Sequence, residues 1–144
     1  MIRRAQPSDC AALVSLERAA AAHPWSEEAI ATTLLLPTTR AWIAGDPPHG
    51  YLLAATAADQ GEVLILGVRP DRRREGVGRA LLGACTAAWQ NSGVGSAFLE
   101  VRTDNQAAIR LYETTGWTLL STRKAYYSDG TDALVYRLGL ASPC

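Results

Sequence analysis

The chain has 144 residues, with 14 basic and 14 acidic side chains and a formal net charge of zero. That length suits a single domain, residues 1–144, which buries roughly two thirds of its unfolded surface and needs no disulfide. The even charge argues against a general nucleic-acid binder, no apolar run approaches the ~20 residues of a membrane span, and Met1-Ile2-Arg3-Arg4 does not read as a signal peptide.

Met1 to Ala5 is a short first strand. Pro7-Ser8-Asp9 opens a helix with Leu13, Leu16 and Ala20 on one face, and His23-Pro24-Trp25 breaks it. Ser26 is the N-cap of a second helix, with Glu27 and Glu28 at its positive end. That helix stops before Pro37. Arg40 to Ala44 is a strand, Asp46 to Gly50 a turn, Tyr51 to Ala57 a strand and Asp59-Gln60-Gly61 a turn. Val63 to Val68 is apolar throughout and predicts a central strand covered on both faces. A helix runs from Gly76 to about Gln90, and Ser92 to Gly95 ends it. Ala97 to Arg102 is a strand, and Gln106 to Thr115 a helix stopped by Gly116. Trp117 to Tyr126 and Asp132 to Leu138 are strands around a Ser128-Asp129-Gly130 turn. The order is βααβββαβαββ, an α/β (α+β) architecture. Its central strand–helix–strand unit implies a mixed sheet with helices on both faces.

Cys10, Cys85 and Cys144 are scattered, with no Cys-x-x-Cys and no His/Cys cluster. No metal site is expected, His23 and His49 read as loop residues, and the thiols point to a reducing cytoplasm. The functional signal lies at Arg72-Arg73-Arg74-Glu75-Gly76-Val77-Gly78-Arg79, between a buried strand and a helix. Glycines let backbone approach a ligand, and free N–H groups at a helix start attract anions. Gly78-Arg79-Ala80 lacks the Lys-Ser/Thr of a P-loop. Leu81 stands where a dinucleotide fingerprint needs glycine or alanine. What remains is Arg73-x-x-Gly76-x-Gly78, a loop for a phosphate-bearing ligand or a basic surface turn.

That loop resembles the pyrophosphate loop of the GNAT N-acetyltransferase superfamily. The pattern Leu99-Glu100-Val101-Arg102-x-x-Asn105-x-x-Ala108-x-x-Leu111-Tyr112-x-x-x-Gly116-Trp117 is similar to the RimI-type branch. Its members acetylate the N-terminal alanine of a small-subunit ribosomal protein. His23 to Glu28 resembles the branch's substrate-side loop, and Arg123-Lys124-Ala125-Tyr126-Tyr127 with Asp132-Ala133 its final hairpin. The resemblance implies a GNAT fold with a mixed, mostly antiparallel sheet, and acetyl-coenzyme A as donor substrate without a metal. It implies binding of that donor at Leu66, Val68, Arg73, Arg74, Gly76, Gly78, Arg79 and Asn105. The partner is a protein N-terminal peptide, with no nucleic acid or membrane. The chain departs from the branch at Ala125 (usually Asn or another polar residue), at Ile65 and Gly67 (often Thr and Ala) and at Trp117 (Phe). The loss at Ala125 bears on peptide contacts, and Gly67 widens the cofactor slot.

Glu100 lies among Phe98, Leu99 and Val101. A half-buried carboxylate tends to a raised pKa, which suits a general base; the alternative is an acid paired with Arg102 or another arginine. Asn105 and Tyr112 stand two helical turns apart. Asn105 reads as a ligand for the pantetheine arm or as a helix cap, Tyr112 as the acid for the leaving thiolate or as a core aromatic. Trp25 caps the core or lines a peptide groove, and Tyr126 and Tyr127 wall the substrate slot or are ordinary strand aromatics. Glu27, Glu28 and Asp129 attract a basic peptide. The competing functions are acetylation of a small amine, which the same acids favour, and a non-catalytic coenzyme-A-binding module.

Overall fold

A computed structural model describes residues 1–140. One seven-stranded sheet runs through it: β1 (Ile2–Arg4), β2 (Thr39–Ala44), β3 (Gly50–Ala57), β4 (Gln60–Val68), β5 (Ser96–Arg102), β6 (Thr118–Arg123) and β7 (Ala133–Gly139). Their spatial order is β1-β2-β3-β4-β5-β7-β6. Only β4 and β5 are parallel, which the helix between them requires. The helices are α1 (Cys10–Ala20), α2 (Glu27–Leu35), α3 (Val77–Asn91) and α4 (Gln106–Thr114). The element order and the mixed, mostly antiparallel sheet agree with the sequence reading.

Local chemistry sets the helix ends. Ser26 Oγ accepts the Ala29 N–H at 3.1 Å, with Glu27 and Glu28 in the first turn of α2. Gly116 takes φ +99°, which lets the chain leave α4 and turn Trp117 into the core. Two cores flank the sheet. One lies under α3 and α4, around Leu52, Leu81, Trp89, Leu99, Tyr112, Trp117 and Tyr136. The other lies under α1 and α2, around Leu13, Leu16, Ile30, Tyr51 and Leu53.

Three features differ from the sequence reading. β4 begins at Gln60, because Ala58 takes φ +55° and the hairpin closes two residues earlier than the Asp59-Gln60-Gly61 turn implies. β6 ends at Arg123, because Ala125 takes φ +49° and the chain turns into a nine-residue connection, longer than a tight Ser128-Asp129-Gly130 turn. The third concerns burial: β4 is not covered along its whole length. Only Gly61 and Val63 are buried, and Leu64 to Val68 are half-buried. The sheet itself gives the reason. β4 pairs with β5 only from Gln60↔Ser96 to Val63↔Leu99. Opposite β3, Leu53 pairs with Ile65 and Ala54 with Val63, so Leu64 is a surplus residue. A bulge bends its strand, and this one sits where β4 leaves β5. Beyond it the two parallel strands part into a notch.

Candidate active site

The notch separates the last five residues of β4 from Glu100, Val101 and Arg102 of β5. Strand alternation buries Ala97, Leu99 and Val101 under α4 and leaves Phe98, Glu100 and Arg102 half-buried on the opposite face. Glu100 is thus the first side chain past the parting on the half-open face. Its Oε2 is buried and accepts no hydrogen bond among the described residues. The nearest cation is Arg123 Nε at 3.7 Å, an ion contact too long for a hydrogen bond. Arg123 also lies over the Tyr126 ring, 5.5 Å from its centroid. Glu62 of β4 shares this face. Its pKa is raised by partial desolvation and then by the charge on Glu100, against the pull of Arg123. The Glu100 carboxylate beside it raises the pKa of the Tyr126 phenol. Two carboxylates, one arginine and one phenol therefore meet at the open end of the notch.

Tyr112 approaches from the other face. It is buried on α4, edge-to-face with Trp117 at 5.9 Å and tilted against Tyr136 at 6.4 Å. Burial raises its pKa far above the ordinary phenol value, so it stays protonated at neutral pH. It lies within electrostatic reach of Tyr51 beneath β4 and of Tyr127. Asn105, two turns before Tyr112, precedes α4 as an exposed N-cap, and its Oδ1 accepts the Ala108 N–H at 3.2 Å.

The arginine and glycine loop resolves into different parts. Gly76, at φ +81°, is the N-cap of α3, and no side chain caps that helix. Arg74 also takes a positive φ, 65°, and has no ion pair among the described residues. Arg72 pairs with Glu75 at 3.1 Å. Arg73 is exposed but committed: its guanidinium donates to the carbonyls of Val68, at 3.2 Å, and Ala20, at 2.9 Å. It braces the end of β4 to the end of α1, which engages the group expected to hold a phosphate. Arg79 reaches Thr114 on α4 at 3.5 Å. A Cβ on Gly78 would stand 3.0 Å from Leu111, so this glycine also lets α3 lie close to α4. Leu66 and Val68 lie on the stretch of β4 that β5 does not pair, with Leu66 packed into the α3-side core.

The acceptor side has two segments. Trp25 is half-buried against the α1-side core, and with Ser26, Glu28, Ala29, Thr32 and Thr33 it lines a cavity of about 560 Å³. Its backbone N–H donates to Glu17 Oε2 at 2.9 Å. Tyr126 and Tyr127 stand edge-to-face at 5.1 Å on the β6–β7 connection. Arg102 latches that connection: it reaches Asp104 at 3.2 Å, Asp129 at 2.6 Å and Thr131 at 3.0 Å, and lies 4.7 Å from the Tyr127 centroid. Asp129 is therefore engaged by Arg102 and does not await a basic peptide. Its pKa is strongly depressed by that arginine. Asp132 accepts the Ala125 N–H at 2.8 Å and pairs with Lys124. The positive φ of Ala125 shows what this position asks of a residue. It is a backbone conformation that asparagine tolerates better than alanine.

Sequence reasoning missed Glu17 and Tyr51. Glu17 is 3% exposed, and Tyr51 donates its hydroxyl to Glu17 Oε1. Tyr51 faces Gly67 across the β3–β4 ladder, and a Cβ on Gly67 would fall 2.6 Å from Tyr51 Cζ. The space left by Gly67 is thus filled by a phenol and does not widen the slot. The signal was available: a glycine opposite a large aromatic on a neighbouring strand marks a close approach.

Comparison with known proteins agrees with this geometry. Residues 10–117 match the Acetyltransferase (GNAT) family. The chain is 31% identical over 144 residues to the ribosomal protein bS18-alanine N-acetyltransferase of Escherichia coli, covering 94% of this chain and 95% of that one. It is 36% identical over 92 residues to the N-alpha-acetyltransferase RimI of Mycobacterium tuberculosis, covering 63% of this chain and 56% of that one. The crystal structure of the Escherichia coli ribosomal-protein-S18-alanine N-acetyltransferase superposes with a TM-score of 0.91 at 30% identity, covering 100% of this chain and 96% of that one. By these matches and by its notched sheet, the chain belongs to the GNAT acetyltransferase family.

Proposed function

We propose that the protein transfers an acetyl group from acetyl-coenzyme A to the α-amino group of the N-terminal alanine of a small-subunit ribosomal protein, the activity named for its Escherichia coli relative. A ribosomal acceptor places this reaction in the cytoplasm. The observation that carries the proposal is the buried Oε2 of Glu100 at the mouth of the notch, which has only a long ion contact with Arg123 and accepts no hydrogen bond among the described residues. A buried carboxylate oxygen without a hydrogen bond calls for a donor, and an ammonium or its water is one.

The residues present fit the donor substrate, which supplies an acetyl thioester. The uncapped start of α3, with Gly76, Gly78, Arg74 and Arg79, suits its pyrophosphate. Leu66 and Val68 on the β4 edge that β5 leaves open, with the Val68 carbonyl already taken by Arg73, and the free amide nitrogen of Asn105 suit its amide-bearing arm. Glu100 accepts a proton from the acceptor ammonium, directly or through water. Tyr112, kept protonated by burial, gives a proton to the leaving thiolate. An α-amine has a pKa near 8 and lysine about 10.4, so at pH 7 roughly a tenth of the former is neutral and well under a hundredth of the latter. One half-buried glutamate is matched to the α-amine. Trp25 on one side and Tyr126 and Tyr127 on the other are the walls for the extended peptide.

The test uses two peptides with the start of the ribosomal protein: one with a free N-terminus, one with a blocked N-terminus and free lysines. Intact mass should show the first modified and the second untouched. Preferential modification of the blocked peptide would remove the N-terminal assignment. Activity on polyamines alone would establish the small-amine function instead.

A further inference from the structure

The roles above leave one buried titratable side chain unused. Glu17 lies on α1, 3% exposed, yet its carboxylate makes no ion pair among the described residues. Both oxygens are committed. Oε1 accepts the Tyr51 hydroxyl, and Oε2 accepts the Trp25 backbone N–H at 2.9 Å. Burying a carboxylate without a counter-ion is unfavourable unless its hydrogen bonds are satisfied. A helix needing only to pack would place a leucine here, as α1 does at Leu13 and Leu16.

The two partners belong to different parts of the site. Trp25 ends the connection between α1 and α2, which carries the acceptor-side wall. Tyr51 is fully buried on β3, and its ring occupies the place of a side chain at Gly67, on the β4 lip of the notch. The contacts thus run from Trp25 backbone to Glu17, to Tyr51, to Gly67. A second link runs parallel, from Ala20 through Arg73 to Val68. Burial and the neighbouring carboxylate raise the Tyr51 pKa well above an ordinary phenol, so it remains a donor throughout the working pH range.

We infer that Glu17 is a positioning residue: through Tyr51 it fixes the α1–α2 connection, and the acceptor wall at Trp25, to the β4 lip of the acetyl-transfer notch. This rests on the assignment of Trp25 to the acceptor side. Glu17 touches no reacting atom. It sets where the acceptor meets the donor, so its loss falls on acceptor binding and leaves donor binding alone.

The experiment compares Glu17→Ala, Glu17→Gln and Tyr51→Phe with the wild type. It reads hydrogen exchange at the Trp25 amide in protein carrying nitrogen-15-labelled tryptophan, acetyl-coenzyme A affinity by calorimetry, and peptide KM and kcat. A hydrogen bond to a charged group is worth about tenfold or more in an equilibrium. Glu17→Ala should therefore speed Trp25 exchange and raise peptide KM, each by about tenfold, with acetyl-coenzyme A affinity within about twofold. Glu17→Gln should restore most of both, since its amide oxygen still accepts from Trp25 and its nitrogen can donate to Tyr51. Tyr51→Phe keeps the fold if Glu17→Ala does not, and should give a smaller shift in the same direction. A lowered melting temperature with Trp25 exchange and peptide KM unchanged would overturn the inference, as would equal losses in donor and acceptor binding. If the wild type leaves the peptide unmodified, the N-terminal function fails by itself. The exchange data then decide the brace: acceleration in Glu17→Ala with rescue in Glu17→Gln supports it, and unchanged exchange refutes it.

Discussion

Gly67→Ala places one methyl group where Tyr51 already stands. The added Cβ would lie 2.6 Å from Tyr51 Cζ and 2.8 Å from Cε1, with the hydroxyl closer still. Tyr51 is 0% exposed and its hydroxyl is held by Glu17, so the ring has no free direction in which to move. Overpacking of a filled core costs about 1–3 kcal/mol. Displacing Tyr51 also strains a buried hydrogen bond to a carboxylate, worth about 1.5–3 kcal/mol when lost. The alanine returns about 0.4–1 kcal/mol by restricting the unfolded chain. A net loss of about 1.5–5.5 kcal/mol follows, and at about 4 °C per kcal/mol for a domain of this size the melting point falls by roughly 6–22 °C. Urea unfolding followed by tryptophan fluorescence measures this directly. Adding Tyr51→Leu removes the ring that the methyl strikes, so the double variant should lose at least about 1 kcal/mol less than the sum of the two singles. A Gly67→Ala protein within about 0.5 kcal/mol of the wild type, a change typical of neutral surface positions, would show that the pocket over Gly67 is loose and refute the reasoning.

Glu100→Gln should lower kcat by about 10²–10⁴ with acetyl-coenzyme A affinity unchanged, and Tyr112→Phe should slow turnover without unfolding the protein; unaltered pH–rate profiles in both would remove these roles. Asp129 and Asp132 have folded pKa values below their unfolded values, so the stability they confer is present above about pH 4 and lost as pH falls through the folded values. Urea midpoints between pH 5 and 2 should fall more steeply for the wild type than for Arg102→Leu, which lacks the partner of Asp129. Ala125→Asn should stabilise the protein by up to about 1 kcal/mol by easing a positive φ, read as a higher urea midpoint.

Local signals carried most of the architecture. Ser26 as a cap, Gly116 as a stop and the apolar run into Val63 each act within a few residues, so the order of elements can be read from the chain. What sequence could not show is register. The surplus residue Leu64 is visible only against β3, and without it β4 reads as one continuous buried strand. Side-chain partners across the fold were equally hidden. Glu17 looks like a surface acid on a helix until Tyr51, 34 residues later, is brought over it. Arg73 looks like a phosphate ligand until the Ala20 carbonyl arrives beside it, 53 positions away in sequence. Glu100 and Arg102, two apart on one strand, invite pairing with each other. Instead Arg102 turns to Asp104 and Asp129, and Glu100 meets Arg123.

The bulge at Leu64 has a consequence for what can enter the protein. Sheets ordinarily expose their bare backbone only at the two outermost strands, where it invites pairing with other chains. Here a third bare margin opens in the interior of the sheet, along Leu64 to Gly67, before Arg73 takes the Val68 carbonyl. It is flanked by strands on both sides, so no second sheet can reach it. Only one slender, extended chain with amide groups of its own can lie along it and restore the missing hydrogen bonds. The interrupted ladder thus offers room for a single thread rather than a further strand of a sheet. A protein that binds such a thread only when folded gains stability with each tenfold rise in its concentration.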